Sequence, residues 1–209
     1  MPTRYKGGML NLVRRWFFRK KRMQFPYYWR KAIEAAAVLL QAYPCQKMTR
    51  LRLLKLLYLA DRQSLAETCR PITGDKVVAM DHGPVLSKTY ECIRGRGRHR
   101  ASWAKHFRAE GDRDIVLTED PGVHALCRYE VRILKDIARQ WKGQNDSALW
   151  KWVHGGNLPE YNKHEPSKGG KEDIPLEDII EAVKRGGLLD KIRHDAQRQR
   201  TAEALLGGR

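Results

Sequence analysis

No stretch of the 209-residue sequence approaches the roughly 20 consecutive apolar residues that span a bilayer. The longest apolar run near the N-terminus, Trp16-Phe17-Phe18, is too short for the core of a signal peptide. With no membrane span and nothing directing export, the expectation is a soluble protein with the cytoplasm as its default location. Cysteine is sparse: Cys45, Cys69, Cys92 and Cys127 lie far apart and form no Cys-x-x-Cys pair for zinc or redox chemistry. They read as reduced, mostly buried thiols beside apolar helical patterns, although sequence alone leaves a disulfide open.

Catalytic motifs are also missing. There is no Gly-rich phosphate loop ending in Lys-Ser/Thr, no Gly-x-Ser-x-Gly elbow and no His-Glu-x-x-His helix. His154, Glu160 and His164 straddle a Gly- and Pro-containing loop without a zinc-ligand spacing. Cys92 with His82 fits a buried helical cysteine better than a nucleophile with its base. The chain is therefore read as a non-enzyme with no catalytic residues, no cofactor and no metal.

Acidic residues are absent from the first 22 positions, where Arg4, Lys6, Arg14, Arg15, Arg19, Lys20, Lys21 and Arg22 accumulate. That segment and the loop Arg94-Gly95-Arg96-Gly97-Arg98-His99-Arg100 together carry +12 of the formal net charge of +17, so the remaining body is only modestly basic. Leu10, Val13 and Phe17 at helical spacing allow a basic amphipathic helix on anionic lipid or nucleic acid. The competing reading is a solvated extension or a start-site artefact, Met9 and Met23 being alternative starts. In the loop, Arg94, Arg96, Arg98 and Arg100 are candidate contacts to DNA or RNA phosphates; the competing reading is a solvated surface loop.

What is present is helical periodicity. Apolar residues make up 42% of the chain, enough for one core, and the length suits one domain. Trp29, Ile33, Ala36, Ala37 and Leu40 form the stripe of a surface-packed helix closed by Tyr43-Pro44. Thr49 is placed to cap a central helix through Asp61, with Arg52, Lys55 and Arg62 as its thin polar stripe. Asp61 falls on the apolar side and therefore needs a cation, hydroxyl or backbone N–H partner.

A short extended segment over 76–80 leads to Asp81-His82-Gly83-Pro84-Val85, where Gly83 and Pro84 predict a helix start. Phe107 and Ala109, then Ile115 and Leu117, predict a small hairpin with inward residues. Spacing predicts a long helix over 123–141, and Asp146 caps a shorter one carrying Leu149, Trp152 and Val153. Residues 155–171 read as a long loop. Pro175 opens a further helix with Glu177 and Asp178 in its first turn and Lys184 and Arg185 in its last. The fold class is mainly α: a single helical domain over 23–190 with a small β-hairpin or short strands, flanked by a basic extension (1–22) and a polar tail (191–209).

Lys55-Leu56-Leu57-Tyr58-Leu59-Ala60-Asp61, then Ala79, His82-Gly83-Pro84-Val85 and Tyr90, resemble in order and spacing the Panacea (SocA-like) antitoxin family. Leu149-Trp150-Lys151-Trp152-Val153-His154 is similar to a later helix of that family ending in His, and Ile174-Pro175-Leu176-Glu177-Asp178-Ile179 to the start of its last helix. One departure is Leu158-Pro159-Glu160-Tyr161, where the family pattern has a Pro-Trp pair and Tyr161 stands for the aromatic. The resemblance implies a bacterial, phage or prophage antitoxin that binds and blocks a cognate toxin, or an adaptor delivering that toxin to a protease; an operon-regulating nucleic-acid binder is the alternative. It marks Lys55, Tyr58, Asp61, His82, Gly83, Pro84, Tyr90 and His154 as motif positions.

Overall fold

The computed structural model describes residues 22–206; what the sequence suggests for 1–21 lies outside them. Its elements are mainly α, with two small antiparallel sheets. The fold is built around helix α2 (Arg50–Thr68), which follows α1 (Trp29–Gln41) and a three-residue strand β1 (Lys47–Thr49). As expected, Thr49 caps α2, its hydroxyl accepting the Arg52 N–H at 3.1 Å. Cys69, at φ 62°, ends the helix in the left-handed region.

Leu53, Leu56, Leu57, Leu59 and Ala60 are buried all around α2, and each large side chain contributes about 1.5–3 kcal/mol of transfer free energy. The thin polar stripe predicted for this helix is covered at Arg52 and Lys55 and only partly exposed at Arg62. Arg52 and Lys55 are 6% and 2% exposed, because the turn around Gln144–Asp146 covers the first and the hairpin at Gly83-Pro84 together with Val153 covers the second. Helix α1 is likewise buried on most sides from Ala32 to Leu40, not merely along one stripe, and its alanines permit close approach to α2.

Strands β2 (Val77–Met80) and β3 (Gly83–Leu86) make a tight hairpin with Met80 opposite Gly83 and Asp81-His82 as its turn. The helix predicted from Pro84 therefore starts at Ser87 instead, as α3 (Ser87–Ile93). Gly83, at φ 98°, supplies the positive φ that the hairpin needs. Pro84 sits on β3, an edge strand of its sheet, where its missing N–H costs no ladder bond.

Helix α4 (Arg100–His106) leads into the predicted hairpin, β4 (Phe107–Glu110) and β5 (Asp114–Leu117), which β1 extends in the order β1-β5-β4. Phe107, Ile115 and Leu117 point inward, but Ala109 is exposed. Helix α5 (Arg128–Trp141) begins five residues later than predicted. The preceding segment is held instead by Glu34, which accepts the backbone N–H groups of Ala125 and Leu126 at 2.9 Å, and Glu130 closes a capping box on Cys127.

Helix α6 (Asp146–His154) is capped by Asn145 rather than Asp146. Within the predicted loop a short helix, α7 (Pro159–Lys163), seats Tyr161 in the core, and β6 (Lys171–Asp173) pairs with β2. Helix α8 (Leu176–Ala182) stops before Lys184 and Arg185, Lys184 adopting φ 60°. The C-terminal segment, read from sequence as a helix fraying into a polar tail, is helical as α9 (Leu189–Leu205); it buries Ile192 and Ala196 and is tied by Tyr28 Oη to Gln199 (2.7 Å) and Arg70 to Asp195 (2.7 Å). All four cysteines are free thiols, and only Cys92 is buried, contrary to the expectation for most of them. Among the described residues no helix is long and apolar enough to cross a membrane.

Candidate functional site

Four polar side chains on α2 each fasten a different part of the chain. Arg52, nearest the N-terminus, places its guanidinium against Asp146 (2.6 Å) and the carbonyls of Trp141 (3.1 Å) and Gln144 (2.6 Å), fixing the turn between α5 and α6. Asp146, expected as a helix cap, is the acid of this cluster and also accepts from Thr49 Oγ1 at 2.7 Å. One turn on, Lys55 donates to the Pro84 carbonyl at 2.8 Å across a wall formed by Gly83 and Val153. No carboxylate lies within salt-bridge distance of it among the described residues, and burial brings its ammonium down to about 7.

Tyr58 follows, donating to Glu160, whose carboxylate also receives Arg62 Nε at 2.6 Å. Burial, reinforced by Glu160, pushes the Tyr58 hydroxyl well up. Asp61 finds the partners its position demanded, the Thr73 N–H (2.9 Å) and the Thr73 hydroxyl (2.5 Å). Burial raises it to about 7 while the Thr73 bonds pull the other way. Two residues further along that loop, Asp75 accepts from the backbone of Lys88 and Thr89 at the start of α3.

The other motif positions are arranged around the β2–β3 hairpin. His154, at the end of α6, contacts the Asp81 carbonyl at 3.1 Å and the Tyr161 hydroxyl at 3.2 Å, and Tyr161 Oη donates to the Met80 carbonyl at 3.1 Å. Tyr161 thus ties α7 to the end of β2 and to His154. His82 is exposed at the turn, and Tyr90 is half-buried with Arg94 donating to its hydroxyl at 2.8 Å. Arg96 pairs with Glu91, whereas Arg94 and Arg100 face a groove beside the end of α3.

The three groups considered for a metal do not converge. His154 serves the hairpin, Glu160 serves Tyr58 and Arg62, and His164 pairs with Asp178; no metal-binding cluster occurs among the described residues. Cys92 is buried and its thiol is pushed up by burial, unlike an activated nucleophile, while His82 stands out at the turn.

One family model, the antitoxin SocA-like, Panacea domain, matches residues 53–158, which run from α2 through the β2–β3 hairpin to just past α6. The chain belongs to this family. No curated protein and no solved structure matches the sequence. Within the Panacea match lie Lys55, Tyr58, Asp61, the whole β2–β3 hairpin and His154. Arg52, Glu160 and Tyr161, which complete the Panacea core physically, lie just outside it. Sequence reading missed Glu160 as the buried acid and Arg52 as a buried hub. The available signal was the charge of Arg52 and Lys55 within the otherwise apolar stretch 51–60, since buried charges require partners.

Proposed function

We propose that the protein is an antitoxin that neutralises a cognate toxin by direct binding, without chemistry of its own. The observation that carries this reading is the Panacea match over residues 53–158. The geometry is in keeping with it: Lys55, Tyr58, Asp61, Gly83 and Pro84 are buried and serve the scaffold, their polar groups bonded to the chain itself. Such a body works by presenting its outer surface rather than by turning over a substrate.

The test is co-expression of the full chain with each small reading frame beside its gene, scoring growth rescue and co-purification. Rescue together with a stable complex is the expected result. Rescue without a complex replaces neutralisation by delivery to a protease or by repression of the operon. Absence of any toxic neighbour defeats the antitoxin reading and moves the weight to DNA or RNA binding.

A further inference from the structure

Between the first turn of α2, the end of α3, helix α4 and the β4–β5 hairpin lies an open groove of about 660 Å³. Its floor is apolar, with Leu54, Ile93 and Phe107, and its charged lining is Arg50, Arg94 and Arg100 against the single carboxylate Asp112. The three guanidinium groups are oriented by neutral acceptors. Arg50 donates to the carbonyls of Gly111 (3.0 Å) and Asp114 (3.3 Å), Arg94 to Tyr90 Oη (2.8 Å) and Arg100 to the Gly97 carbonyl (3.4 Å). None of them is within 4.0 Å of a carboxylate among the described residues, whereas neighbouring Arg96 is paired with Glu91 at 2.8 Å.

Fixed cations left uncompensated around an apolar trough favour an occupant that brings carboxylates and an apolar side chain together. Nucleic acid fits less well. A single strand needs exposed aromatic faces for its bases, but Trp103 and Phe107 are each 4% exposed and the Tyr90 ring is covered by Arg94 at 5.6 Å. We infer that the groove is where the toxin docks, by an acidic segment that sets an apolar side chain on this floor and its carboxylates against Arg50, Arg94 and Arg100. This rests on the antitoxin reading and adds the surface and the chemistry of the partner.

The test measures affinity of the full chain for the toxin encoded beside it. Three variants are compared with the wild type: Arg94→Ser with Arg100→Ser, Ala104→Trp, which fills the groove from an exposed lining position, and Lys191→Ser with Arg198→Ser on α9, which removes the same charge elsewhere. Circular dichroism establishes that each is folded. Both groove variants are expected to weaken binding by about tenfold or more, as loss of an interface anchor does, and the first also to flatten its salt dependence; the α9 pair should change affinity less than about twofold.

Equal weakening by both charge-removing pairs would mean that only net charge matters and would overturn the inference. Binding unchanged in every variant would remove the groove and leave the antitoxin reading intact, whereas failure of the wild type to bind any neighbouring toxin would remove both. A 20-base-pair DNA duplex is titrated in parallel; loss of duplex binding in the groove variants with toxin binding retained would reassign the groove to nucleic acid.

Discussion

Replacing Lys55 by Met measures how much stability the buried ammonium costs. In the folded protein Lys55 is held at about 7 by burial, against an ordinary value of 10.5. That difference corresponds to about 5 kcal/mol at 1.36 kcal/mol per unit. Between the two values the unfolded chain binds the proton and the folded one does not, so wild-type stability rises with pH through this window. The cost is full below about 7 and gone above about 10.5. Met keeps the length and the apolar stem but cannot donate to the buried Pro84 carbonyl, which gives back about 1–3 kcal/mol.

Near neutrality Lys55→Met should therefore be more stable than the wild type by a few kcal/mol. Its advantage should shrink by about 1.4 kcal/mol per pH unit on the alkaline side. Urea unfolding of both proteins between about pH 8 and about pH 10 reads this as a difference of about 2–3 kcal/mol across the range. The subtraction cancels Tyr27 and Tyr161, whose hydroxyls burial pushes up, that of Tyr161 to about 12, and which titrate alike in both chains. A difference that stays flat would refute the reasoning, because Lys55 would then keep its proton through an anionic or aqueous partner.

Glu160→Gln should cost about 3 kcal/mol in urea unfolding, since it removes the carboxylate that Tyr58 and Arg62 share at a fully buried position; a cost under about 1 kcal/mol would mean that the cluster is not an energetic unit. Gly83→Ala should lower stability by about 2–4 kcal/mol, because a Cβ at φ 98° would lie 2.6 Å from Val153 Cγ1; an unshifted thermal midpoint would contradict the hairpin geometry. Asp61, raised to about 7 from 3.8, contributes stability that is present below about 4 and lost as pH rises to about 7. Stability measured against pH should accordingly fall relative to Asp61→Asn across that interval by a few kcal/mol, and parallel curves would show that the Thr73 bonds keep Asp61 ionised.

Much of the architecture was legible where local and global signals agree. Thr49 could be read as a cap because its hydroxyl acts on an N–H three residues away, and the β4–β5 hairpin because its apolar alternation is local. Asp61 could be read as needing a partner, and Thr73 lies only 12 residues on. The Gly83-Pro84 pair was misread because it suits both a helix start and an edge strand; the choice is made by β6, whose residues 171–173 pair with β2 from far along the chain. Burial of Arg52 and Lys55 depends in the same way on Asp146 and on the hairpin, and nothing in the neighbourhood of Glu160 announces its bond to Tyr58.

The bonds from α2 also set a schedule for biosynthesis. Arg52 reaches its acid 94 residues later and Tyr58 reaches Glu160 102 residues later. While the chain is being made, α2 emerges with its cations and phenol unmatched and must wait for α6 and α7 before its inner face can close. Long separations of this kind slow folding because loop closure must precede the contacts that reward it. A nascent chain stopped at residue 158, where the family match ends, would lack Glu160, Tyr161 and β6 together. The unit that can fold is therefore longer than the unit that sequence comparison delimits, and fragments for expression should be cut by these bonds rather than by the match.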